Sequence, residues 1–117
     1  MRTALRVIVV GAGLVASAMA FAAQAREVTI KMQKEAFVPA QITVAVGAEV
    51  TWTNTDEVPH SVTALDGSFD SGPILPGKSF QWTPSETGIL NYHCIFHPSM
   101  TAALTVRVPA VKSSQKP

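Results

Sequence analysis

The chain has 117 residues, nine basic and eight acidic, with three histidines and one cysteine. That length suits one small domain and is too short for two. The near-balanced charge, with no basic cluster, excludes electrostatic binding to nucleic acid or anionic lipid as a primary role.

In chain order, residues 1–25 read as a cleaved secretory signal. Arg2 and Arg6 form a positive start, Val7 to Ala23 is almost wholly apolar, and Ala23-Gln24-Ala25 offers small residues where a signal peptidase cuts. Cleavage is expected after Ala25, with Ala18-Met19-Ala20 as a weaker alternative. The two arginines are not adjacent, which favours the general secretory route over the twin-arginine one. The apolar run is short for a membrane span and a cleavage motif follows it, so no membrane attachment is expected afterwards. Seven of the nine basic residues then remain against eight acidic ones. Localisation in the periplasm follows. A lone cysteine there cannot form an internal disulfide, and a bound metal is the simplest occupant of its thiol.

Residues 26–108 are expected to form one all-β domain. Val28, Ile30 and Met32 alternate with Thr29, Lys31 and Gln33, and Ile42, Val44 and Val46 repeat the pattern before Gly47-Ala48. Val50 and Trp52 share a face. Further strands are expected over 61–65, 78–82, 89–94 and 102–108, with Asp66-Gly67, Pro76-Gly77 and Thr87-Gly88 as turns. This period of two predicts a half-buried antiparallel sheet on each side of one core. The strand count points to a Greek-key β-sandwich of about 7–8 strands. Met32 reads as core filler. Residues 109–117 are polar and flanked by prolines, and are expected to be a flexible tail.

The chemistry lies in Tyr92-His93-Cys94-Ile95-Phe96-His97-Pro98-Ser99-Met100. Thiolate, imidazole and thioether follow at three-residue steps, and His60 lies upstream. Soft sulfur ligands suit Cu(I), imidazole suits both copper states, and two His, one Cys and a weak Met make up a blue-copper site. Fully extended, Cys94 to Met100 would spread its donors over about 20 Å. The segment must therefore fold back, and a compact turn of about three residues per cycle would bring the three donors to one side. Pro98 fixes its own φ, disfavours the α region at His97, and removes an N–H that could reach the thiolate. Strand alternation through Leu90, Tyr92 and Cys94 sends Cys94 inward and His93 outward, so His93 is not expected to be a ligand. His60 by itself would read as a core or edge histidine; with the later motif it reads as the fourth ligand.

Other chemistries fit less well. Structural zinc sites usually carry more thiolates and no thioether. A Cys–His nucleophile would need an aimed base and an oxyanion site, and nothing in the sequence specifies either. Multicopper oxidase chemistry needs further histidines, commonly in His-x-His pairs, and a binuclear copper centre needs a second cysteine.

Trp52-Thr53-Asn54, Val58-Pro59-His60-Ser61-Val62 and Tyr92-His93-Cys94-x-x-His97-Pro98-x-Met100 together resemble the small cupredoxins of the plastocyanin/azurin family. The short Cys-x-x-His-x-x-Met loop is most similar to that of the amicyanins. The resemblance spans about Val28 to Val108. It implies one type 1 copper ion, with His60, Cys94 and His97 as equatorial ligands and Met100 as the axial one. It further implies that the His97 ring edge reaches the surface through an apolar patch where redox partners dock. The chain departs from the family at Ser61, where Asn is common, so the bracing between loops must differ. The segment from Asp66 to Lys78 also departs from amicyanin and looks more like the broader group of amicyanin-like bacterial proteins.

The expected role is a periplasmic electron carrier and not an enzyme. Redox proteins such as a c-type cytochrome or a periplasmic dehydrogenase would be its partners, and the carrier itself would be monomeric. A periplasmic copper-binding or copper-delivery protein is the alternative. Delivery proteins tend to expose Met- or His-rich clusters, whereas this donor set is spaced as an enclosed site.

Overall fold

The computed structural model describes residues 27–109, so the expected signal segment and all but the first residue of the expected tail lie outside the described residues. Eight strands follow in order: β1 (Glu27–Met32), β2 (Phe37–Val38), β3 (Gln41–Ala45), β4 (Glu49–Asn54), β5 (Thr63–Ala64), β6 (Ser79–Trp82), β7 (Gly88–Cys94) and β8 (His97–Arg107). They form two four-stranded sheets, β2-β1-β4-β6 and β3-β8-β7-β5. No helix is present among the described residues. The architecture is the all-β sandwich that the alternation predicts.

The sheets are mixed, which corrects the expectation of antiparallel ones. β1 lies parallel to β4, with Ile30 opposite Trp52, and β3 lies parallel to β8, with Val44 opposite Val106. Alternation reports which face of a strand is buried and is silent on strand direction. Strand β2 escaped the sequence reading because two residues show no period. Its Phe37 is nevertheless buried and meets Tyr92 edge-on at 4.8 Å. The strand expected over 61–65 is reduced to Thr63–Ala64. The final strand starts earlier than expected, at His97.

The core lies between the sheets. Ile30, Met32, Val50 and Trp52 face it from one side, and Val44, Tyr92, Leu104 and Val106 from the other. Burying each of the aliphatic ones contributes about 1.5–3 kcal/mol. A hydrogen bond ties the layers together: Trp52 Nε1–H donates to Tyr92 Oη at 3.1 Å, with the rings edge to face. Burial pushes the Tyr92 hydroxyl up to about 12, so it remains a neutral acceptor for the indole. Gly47 turns β3 into β4 at φ +90°, a conformation that side-chain-bearing residues rarely adopt.

Candidate metal centre

Three of the expected ligands meet at one end of the sandwich. The candidate donor atoms of His60, Cys94 and His97 all lie within 4.8 Å of one another. Cys94 Sγ is 3.7 Å from Nδ1 of His60 and 3.7 Å from Nδ1 of His97. Donors held about 2.0 Å (N) and 2.3 Å (S) from one ion, at an angle near 115°, sit roughly 3.6 Å apart. The triad therefore has the spacing of ligands around a single ion. Its soft thiolate and two imidazoles suit copper.

Cys94 is placed by the alternation of β7, whose Tyr92 and Cys94 are buried while Asn91 is exposed. The following two residues, Ile95 and Phe96, make the turn. His97 then pairs directly opposite Cys94, which puts both side chains on one face. Strands β7 and β8 pair as Tyr92 with Ala102 and His93 with Thr101. Continued regularly, that register would set Cys94 against Met100. Instead the pairing shifts after His93, and Pro98, Ser99 and Met100 are taken up in the irregularity. The fold-back is thus a tight hairpin with a bulge, and not the three-residue-per-cycle turn expected. The bulge brings His97 across from the sulfur while Met100 keeps phase with Ala102, Leu104 and Val106, all buried. His93 is half-buried, lies opposite Thr63 of β5 and is outside the triad.

His60 arrives on a loop that Asn54 organises. The fully buried Asn54 amide donates to the carbonyls of Val58 (2.8 Å) and Ile74 (2.9 Å), and its oxygen accepts the Asp56 N–H at 2.9 Å. His60 and Ile74 then exchange both backbone hydrogen bonds. The ring is completely buried, and its Nε2 lies 2.8 Å from Asp56 Oδ2. Asp56 in turn accepts the N–H groups of Lys34 (2.7 Å) and Glu35 (2.9 Å). Both residues sit in the left-handed region, at φ 56° and 57°. There successive amides converge into an anion-holding nest.

Burial pushes the Asp56 carboxyl up, but the Glu35 amide, the His60 side chain and the Lys34 amide outweigh it and leave it below the usual carboxylate range. An ionised carboxylate only accepts, so His60 carries its proton on Nε2. Nδ1, facing the sulfur, keeps its lone pair free.

The sequence reading missed Asp56. The signal was present four residues before His60, but only the fold shows the carboxylate turned onto the ring. It also missed Glu35, whose Oε2 is 3.8 Å from His97 Nε2 across a sequence gap of sixty-two residues. Ser61 does brace the loops. Its N–H approaches Cys94 Sγ at 3.3 Å, and its hydroxyl accepts the Ile95 N–H at 2.9 Å.

Comparison with known proteins gives the family of this fold. A family model described as "Cupredoxin-like domain" matches residues 6–106. Amicyanin from Paracoccus denitrificans is 29% identical over 84 residues, covering 68% of this chain and 64% of that protein. Among solved structures, a purple cupredoxin from Nitrosopumilus maritimus is similar with a TM-score of 0.62 and 30% identity, over 68% of this chain and 98% of its own. A copper-containing nitrite reductase from Thermus scotoductus SA-01 shares the fold, with a TM-score of 0.67 and 24% identity, over 72% of this chain and 23% of its own. Two sheets in this order, a buried cysteine paired across a hairpin with a histidine, and a family match across most of the sequence agree: the chain belongs to the cupredoxin-like family.

Proposed function

We propose that the protein is a one-electron carrier that works through a single type 1 copper ion. His60, Cys94, His97 and Met100 would hold the ion. The observation that carries this reading is the buried Cys94 sulfur with two imidazole Nδ1 atoms each 3.7 Å away. A bound copper ion supplies reversible one-electron chemistry between Cu(II) and Cu(I).

The protein's own groups determine how that chemistry is used. Cys94 presents a sulfur that receives the Ser61 N–H, and Pro98 has no N–H with which to add another. Sparse hydrogen bonding keeps the thiolate a strong electron donor. Asp56 holds the His60 proton on Nε2 and fixes the ring. Met100 is 2% exposed, which fits a donor shielded from water. The His97 side chain is 26% exposed and offers an edge through which an electron can leave. The adjoining turn residues Ile95 and Phe96 are 51% and 45% exposed, an apolar surface suited to brief docking of a redox partner.

Four protein donors leave the ion no open position for a substrate, which favours a carrier over an enzyme. A donor set that is mostly buried favours electron transfer over delivery of the ion itself. The leader sequence supports export to the periplasm, where a c-type cytochrome or a dehydrogenase would exchange electrons with a monomeric carrier.

Addition of Cu(II) to the purified chain tests the reading. An intense blue colour that reductant bleaches and oxidant restores is expected. A pale, ordinary Cu(II) spectrum would overturn it.

A further inference from the structure

The Ser61 hydroxyl belongs to a longer chain of contacts that leads away from the metal centre. Besides accepting the Ile95 N–H, Ser61 Oγ lies 2.9 Å from Thr63 Oγ1. Residues two apart in extended backbone share a face, which brings these hydroxyls together. Thr63 Oγ1 donates to Asp70 Oδ1 at 3.2 Å, and the same carboxylate oxygen accepts the Gly72 N–H at 3.0 Å. Thr63 and Asp70 also face one another as an isolated antiparallel bridge. Each hydroxyl has one proton. Thr63 directs its proton to the carboxylate, so the Ser61 proton must go to Thr63. The direction of the whole chain is then set: Ile95 N–H to Ser61, Ser61 to Thr63, Thr63 to Asp70.

We propose that Thr63 and Asp70 are positioning residues for the metal-binding hairpin, acting through Ser61. The relay anchors the amide of Ile95, the first residue after Cys94 and the start of the turn that leads to His97. The N–H of Ser61 touches the Cys94 sulfur at 3.3 Å, so the relay and the sulfur contact share one loop residue. Asp70 supplies the anionic end that orders both hydroxyls. This inference rests on the copper reading for its effect on potential, and on the polypeptide alone for its effect on the hairpin.

The test compares Thr63→Val, which keeps shape and β-branching but removes the hydroxyl, with Thr63→Ser, which keeps the hydroxyl. Two quantities are measured: amide exchange of Ile95 in the metal-free chain, and the reduction potential of the copper-loaded chain by voltammetry. Thr63→Val should speed Ile95 exchange by about fivefold, the equivalent of one ordinary hydrogen bond. It should also shift the potential, because the turn between Cys94 and His97, and the Ser61 N–H on the sulfur, lose their anchor. Thr63→Ser should match the parent in both. Asp70→Ala, at an exposed position, should move both in the same direction by less, and it serves if the valine variant does not fold. Unchanged exchange and potential in both Thr63→Val and Asp70→Ala would overturn the proposal, as would a Thr63→Ser shift equal to that of valine. If the parent chain formed no blue copper complex, the copper reading would fail, while Ile95 exchange would still decide the relay.

Discussion

The two histidines facing the Cys94 sulfur stand at the same distance from it but in different surroundings. His60 is fully buried, its far nitrogen is held by Asp56 at 2.8 Å, and Asp56 is gripped by two backbone amides. His97 is partly exposed, and the nearest charged group to its far nitrogen is the largely solvent-exposed Glu35 at 3.8 Å. A polar contact of that length in water is worth little, whereas a buried histidine clamped by an ionised carboxylate is fixed in tautomer and orientation. One imidazole is held still and the other keeps an exposed edge. The proposed carrier would use both, because rigid ligation limits rearrangement at each transfer and an exposed ligand edge shortens the path out.

The largest effect should come from Cys94→Ser, which removes the sulfur that both arms face. The intense visible band should be lost entirely, as read in the absorption spectrum after Cu(II) addition. The contrast between the arms is tested next by Asp56→Ala. Loss of the carboxylate frees the His60 ring, and copper affinity should fall by about 10–100-fold in a chelator competition. A change smaller than twofold would show that the clamp on His60 does no more for the metal than the loose neighbour of His97. The smallest effect is expected from His93→Ala, whose side chain lies on the face of β7 opposite to Cys94. The visible band should keep its position and intensity; its loss would mean that the two faces of β7 had been exchanged.

Much of the candidate site was legible because its expected donors lie close together in the sequence or carry a chemical signature. Cys94, His97 and Met100 fall within seven residues, and the phase of Leu90, Tyr92 and Cys94 separates the inward sulfur from the outward His93. The shape of the hairpin was less legible. A three-residue spacing fits either a helical turn or a bulged strand, and the choice depends on where Tyr92 and His93 pair with β8. Asp56 and Glu35 stayed hidden for a different reason. Carboxylates are common on loops, and only the positive φ of Lys34 and Glu35, with the path of the loop after Asn54, brings them onto the two imidazoles.

The amino-acid sequence by itself determined the β architecture, the buried faces and the types of donor atom, because these follow from local alternation and from the chemistry of single side chains. The parallel pairings of β1 with β4 and β3 with β8, the bulge over Pro98–Met100 and the different settings of the two histidines were decided only in the folded molecule. Each depends on which distant segments lie side by side, and hydrogen bonds between residues far apart in sequence have no local signature in either partner.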